Sequence, residues 1–130
     1  MIHVISKSAR QSLLLRQYLQ NHFFQWTFLL SFIIHSAIWI LLFSFVRPSE
    51  IPILLRYNVY LGLDLTYIVS WYEAYGIPLF ALFFLFLNVF FSLFFFRRTD
   101  YFASYIILLG GIFIQAIALI SVIAIVLINT

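Results

Sequence analysis

The sequence predicts an all-α integral membrane protein. The expected form is a three-helix transmembrane bundle with an N-terminal interfacial segment and a short strand/helix lid on its outer side. Three observations predict it. Only 8% of the 130 residues are charged and 65% are hydrophobic, where a soluble domain carries about 25% charge. Three apolar runs, 23–46, 77–96 and 102–128, contain no Asp, Glu, Lys or Arg, and each reaches the ~20 residues needed to cross a bilayer core. The basic residues gather at the ends of these runs, which reads as membrane topology and not as nucleic-acid binding. Four acids and seven bases cannot cover a water-exposed surface, so the lipid bilayer is the expected solvent. The absence of cysteine rules out disulfides, thiolate metal sites and a cysteine nucleophile.

The segment 1–22 carries Lys7, Arg10 and Arg16 and no acid. Leu13, Leu14, Tyr18 and His22 recur at helical spacing, which predicts an amphipathic helix over 6–21 lying in the interface. The plainer reading is a solvated basic tail that sets topology. The run 23–46 is too long for a signal-peptide core and lacks a cleavage pattern, so it reads as an uncleaved first span. The second span, 77–96, has Pro78 in its first turn, where proline is tolerated, and Arg97-Arg98 at its end. After a turn at 97–101, Asp100 is the expected N-cap of the third span, 102–128. At 27 residues, that span is long enough to tilt. Five bases lie in 1–22 and 97–101 against two in 47–76. This predicts a cytoplasmic N-terminus in the cell membrane, with 47–76 and the C-terminus outside.

The connection 47–76 holds three of the four acids and five of the eight tyrosines. Ile53 to Tyr60 alternates as a strand does, with Leu55, Tyr57 and Val59 on one side. Gly62 breaks that run. Asp64 is the expected N-cap of a short helix, Leu65 to Tyr75, ended by Gly76. Two readings stand. One is an aromatic-belt connector. The other is an exposed docking surface or pore cover built from Arg56, Tyr57, Asn58, Tyr60, Asp64, Trp71, Tyr72 and Glu73. Arg56 is placed to pair with Asp64 or Glu73. The run Tyr57-Asn58-Val59-Tyr60-Leu61-Gly62-Leu63-Asp64, followed by Trp71-Tyr72 and Pro78, resembles that of small uncharacterised bacterial three-span membrane proteins. The likeness extends from about Pro52 to the C-terminus. It implies the three-span layout and carries no activity.

Each span has one strongly polar residue near its middle: His35, Asn88 and Gln115. Helical spacing places Thr27, Ser31 and His35 on one face. Ala81, Leu85, Asn88 and Ser92 share a second. Ala103, Ile107, Gly111, Ala118 and Ser121 form a third, small-residue stripe with Gln115 at its edge. Gly110-Gly111 marks a close contact or kink. The three midpoint groups are either interhelical glue or a polar conduction site with His35 as its titrating member. No P-loop, HExxH, GxSxG or paired carboxylates occur. No catalytic residues, metal site or cofactor are therefore expected. His35 as a haem or metal ligand needs a second ligand from another subunit, because His3 and His22 lie near the cytoplasmic face. The expectation is a non-enzymatic accessory or scaffold subunit, working as a homo-oligomer or with other membrane subunits and not with nucleic acid. The alternative is an oligomeric channel or transporter subunit that uses His35, Asn88 and Gln115.

Overall fold

The computed structural model describes residues 7–48, 50, 53–56 and 67–129. Helix α1 spans Lys7–Gln20 and α2 spans His22–Phe45, with Asn21 alone between them. Asn21 is extended (φ −70°, ψ 120°), and its Oδ1 accepts from the Phe23 N–H at 2.9 Å and the Phe24 N–H at 3.4 Å. It therefore caps orphan donors at the start of α2. Its Nδ2 donates to the Tyr105 hydroxyl at 2.8 Å, which ties this corner to the last helix.

The face expected of α1 is buried in part, at Tyr18 and, one turn before it, at half-buried Leu14. Tyr18 is 2% exposed and packs on Phe24 and Phe96. Leu15 and Leu19, on either side of it, are exposed. Leu13 projects away, exposed, on the side of exposed Arg16. His22 is not part of this face; it begins α2 and is exposed.

After α2 the chain forms two short antiparallel strands, β1 (Ile53–Arg56) and β2 (Tyr67–Val69), with Ile53 opposite Val69 and Leu54 opposite Ile68. A bulge precedes Arg56, which lies opposite Tyr67. The strand expected over 53–60 is observed through Arg56. Residues 57–66, including Tyr57, Asn58, Tyr60 and Asp64, lie outside the described residues. The helix expected from Leu65 to Tyr75 does not form as such. Tyr67–Val69 pairs with β1, and a 3-10 turn covers Trp71–Tyr75. Tyr-Ile-Val is strand-prone sequence, and a pairing partner outweighs weak local helicity. Gly76 closes the 3-10 turn, as expected, its N–H bonding back to Glu73 and Ala74, but without a left-handed break. It is right-handed (φ −62°, ψ −31°) and opens α3, Gly76–Arg97. Pro78 is the third residue of α3, where its missing N–H has no intrahelical role. The Tyr75 hydroxyl donates to the Val46 carbonyl at 2.9 Å and clamps the connection to the end of α2.

Helix α4, Tyr101–Asn129, follows a tight turn. The Asp100 N–H donates to the Phe95 carbonyl (3.1 Å) and the Thr99 N–H to Phe96 (3.0 Å), with Thr99 left-handed at φ 64°. This is a Schellman close with threonine at the position glycine usually holds. Asp100 then caps α4, its Oδ1 accepting from the Ala103 N–H at 3.1 Å. Asp100→Ala is expected to cost about 1 kcal/mol while Asp100→Asn costs little. Reversible unfolding in detergent measures both.

Among the described residues, three helical stretches are long and apolar enough to cross a membrane: His22–Phe45, Trp71–Arg97 and Tyr101–Asn129. Helix α4 is central. It lies along both α3 and α2, whereas α2 and α3 touch only briefly. Small residues on α4 allow this, since close backbone approach drives helix association in lipid. A Cβ on Gly111 would sit 3.4 Å from Asn88, so α3 and α4 are already in contact there. At the connection end an apolar cluster forms around Ile38, Leu42, Ala74, Ala81, Ala118 and Val122. At the α1 end a smaller one joins Tyr18, Phe24, Phe96 and Leu108. The outward surface is large and apolar, with Phe80, Phe83, Phe86 and Phe90 of α3 all mostly exposed, as lipid-facing side chains are.

Candidate functional site

Two polar layers cross the bundle. The first centres on His35 of α2, 8% exposed, and Gln115 of α4, fully buried. The imidazole Nδ1 lies 3.2 Å from Gln115 Oε1. Trp39, one turn along α2, donates its indole N–H to His35 Nε2 at 2.9 Å. Gln115 Nε2 donates to the Ala81 carbonyl of α3 at 2.9 Å. These directions leave one consistent assignment. Nε2 accepts, so the proton is on Nδ1 and the neutral ring donates to Gln115. Trp39, His35, Gln115 and the Ala81 carbonyl thus form one directed chain across all three long helices.

The second layer joins Tyr18, Ser92 and Ser104. The Tyr18 hydroxyl donates to Ser92 Oγ at 2.9 Å. Ser92 Oγ and Ser104 Oγ are 2.7 Å apart, and Ser104 Oγ donates to the Ser92 carbonyl at 2.9 Å. The Ser104 hydrogen is committed to that carbonyl, so Ser92 donates to Ser104. Ser92 and Ser104 are 0% exposed. This layer fastens α1 to the α3–α4 pair.

Burial pushes the Tyr18 phenol above its ordinary value of 10.0, and the bond to Ser92 offsets part of the rise. The folded state therefore holds the phenolic proton more tightly than the unfolded one. That contribution is complete below pH ~10 and fades as pH rises from there through the raised folded value. Wild-type protein is expected to lose stability, and α1 its protection, in that alkaline window. Tyr18→Phe removes the step and costs about 1 kcal/mol at neutral pH from the lost bond. Hydrogen exchange of α1 amides, measured on both proteins at neutral and alkaline pH, reads it.

His35 and Gln115 meet, but Asn88 does not join them. Antiparallel packing sets Ala81 against Gln115, and Asn88 against Gly111, about two turns along α3 and one along α4. Asn88 is half-buried, and its Nδ2 donates to its own helix at the Phe84 carbonyl (2.9 Å). Ser31 is buried in line with His35. Gln115 is not at the edge of the α4 stripe but at its centre, flanked by buried Ser104, Leu108, Gly111, Ala118 and Val122. Ala103 and Ile107 are only half-buried. Ser121 is not among the buried residues of α4. It is half-buried and bonds its own helix at the Ile117 carbonyl. Gly110 is half-buried, and a Cβ there would meet nothing within 4 Å. The contact is Gly111 alone.

Of the expected outer surface, Trp71 is half-buried against the core while Tyr72 and Glu73 are exposed. Arg56 lies in β1 at the bulge. Sequence reasoning placed Tyr18 on the face of α1 without its bond to Ser92, and missed Ser104, Asn21 and Tyr105. The available signal was a serine on each of α3 and α4, both buried, each roughly equally far from the Arg97–Asp100 turn.

Every buried side-chain nitrogen and oxygen among the described residues has a hydrogen-bond partner. Among those residues no group of three His, Cys, Asp or Glu side chains gathers. The arrangement can order helices and fix a histidine tautomer. The chain matches no family model, no curated protein and no solved structure. Fold and polar layers together define a small membrane protein with three candidate spans.

Proposed function

We propose that the chain is a non-enzymatic accessory or scaffold subunit of a larger membrane complex, with its N-terminus in the cytoplasm. The observation that carries this reading is the pairing of His35 with Gln115 inside one protomer. A conduction path needs such groups turned toward a shared axis, and here both ring nitrogens and both amide atoms are used within the bundle. The outward face instead offers aromatic area, including Trp26 and Tyr72, suited to contact with lipid and other membrane subunits.

Native mass spectrometry of the protein purified in mild detergent tests it. A larger polypeptide retained at fixed stoichiometry is the expected result. A closed ring of three or more copies, with ion conductance that His35→Ala alters, replaces this reading with a channel. Orientation follows from thiol labelling, because the chain has no cysteine of its own. Tyr72→Cys is expected to label from outside the cell and Thr99→Cys only after permeabilisation.

A further inference from the structure

Beside the core at the connection end runs a lateral groove of about 520 Å³, walled by Ile77 and Phe80 of α3 and Ile114 and Ile117 of α4. Ala81, Ala118 and Ser121 contribute small side chains to it, which is why the two walls leave a furrow. Its lining is almost wholly apolar, and its volume falls in the ~300–1,000 Å³ range of ligand sites. One charged group lines it: Glu73, on the 3-10 turn just above α3. Glu73 is exposed and makes no ion pair with a described residue. From Glu73 to Phe80 the chain descends roughly 10 Å at helical rise. The groove thus begins at the level of the acid and continues down into hydrocarbon depth. At that depth neither water nor vacuum is an acceptable filling, and the material at hand is an acyl chain.

We propose that this groove holds one phospholipid with a primary-ammonium headgroup, of the phosphatidylethanolamine type. An acyl chain lies along Ile77, Ile114 and Ile117, and the headgroup ammonium donates to the Glu73 carboxylate. The charge is complementary, and an ammonium with three N–H donors suits a carboxylate as a quaternary choline, which has none, does not. An anionic headgroup meets repulsion from the same acid.

The test is native mass spectrometry of the full chain, released from micelles holding equal amounts of phosphatidylethanolamine, phosphatidylcholine and phosphatidylglycerol with matched acyl chains. The expected spectrum shows one retained lipid per protomer, with the ethanolamine form favoured about three- to fivefold over choline, the size an exposed ion pair supports. Glu73→Gln, at an exposed position, is expected to abolish that preference while keeping a bound lipid. Ser121→Phe fills the furrow without breaking an interhelical bond, and is expected to remove the lipid whatever its headgroup. Equal retention of the three lipids by wild type overturns the proposal. So does an ethanolamine preference that survives Glu73→Gln, or retention that survives Ser121→Phe. A second polypeptide displaced by Ser121→Phe, with no lipid retained, assigns the groove to a partner helix instead. The lipid is read on the single-protomer ion, so this result is independent of whether a larger complex co-purifies.

Discussion

Gly111→Leu is expected to force α3 and α4 apart and to be the most damaging single substitution at that interface. A Cβ at Gly111 already lies 3.4 Å from the Asn88 Cβ and Nδ2. Alanine fits that distance as an ordinary contact, so Gly111→Ala is expected to stay within about 0.5 kcal/mol of wild type. Leucine adds three more carbons with nowhere to go, and overpacking of this kind costs about 1–3 kcal/mol or more. Asn88 donates to its own helix at the Phe84 carbonyl, so Asn88→Ala in the same chain is expected to recover much of the loss. Gly110→Leu is the control, because space beside Gly110 is open. Reversible unfolding of the four variants and wild type in mixed micelles measures the series. A Gly110→Leu as damaging as Gly111→Leu would sink the account of α4's packing face.

Gln115→Leu is expected to cost about 2 kcal/mol. It keeps approximate volume and removes two interhelical bonds, each worth ~0.6 kcal/mol on average and up to about 1.7 in membrane bundles. It also leaves the His35 Nδ1–H buried and without its acceptor, a penalty of about 1–3 kcal/mol in itself. The Ala81 carbonyl suffers less, since it belongs to a helix. Pairing Gln115→Leu with His35→Leu removes both ends of the broken contact. The double variant is expected to lie about 0.5–1.5 kcal/mol above the sum of the singles in stability. Additive single effects would show that the 3.2 Å contact contributes nothing. The same unfolding measurement, run as a double-mutant cycle, decides it.

The parts of the fold that depend on solvent class were readable from residue types alone. Apolar run length locates α2, α3 and α4 to within a few residues, because the bilayer sets a minimum span. Asp100 is legible as a cap because capping is local chemistry. The Thr27–Ser31–His35 face of α2 is legible because its polar residues repeat every four positions and all three are buried. The phase of α4 is not. Its residues are apolar nearly all round, so hydrophobicity offers no contrast between inside and outside, and the small-residue stripe was drawn off-centre from Gln115. The Tyr18–Ser92–Ser104 layer was hidden for a different reason. It joins residues 74 and 12 positions apart, and single serines are common in spans without any such role. Tyr67–Val69 went to a strand because its partner, Ile53–Arg56, lies before the undescribed 57–66 segment, and pairing is a tertiary fact.

The central place of α4 has a consequence for how the molecule is made. Synthesis delivers α2 and α3 to the bilayer first, and these two scarcely touch. Until α4 follows, His35 has no Gln115, and Ser92 has no Ser104. The nascent chain therefore passes through a stage with unsatisfied polar groups in lipid and no stable helix pair. Assembly then completes in a single late event, when one helix inserts between two waiting ones. A chain cut short before α4 leaves His35 and Ser92 without these partners in lipid.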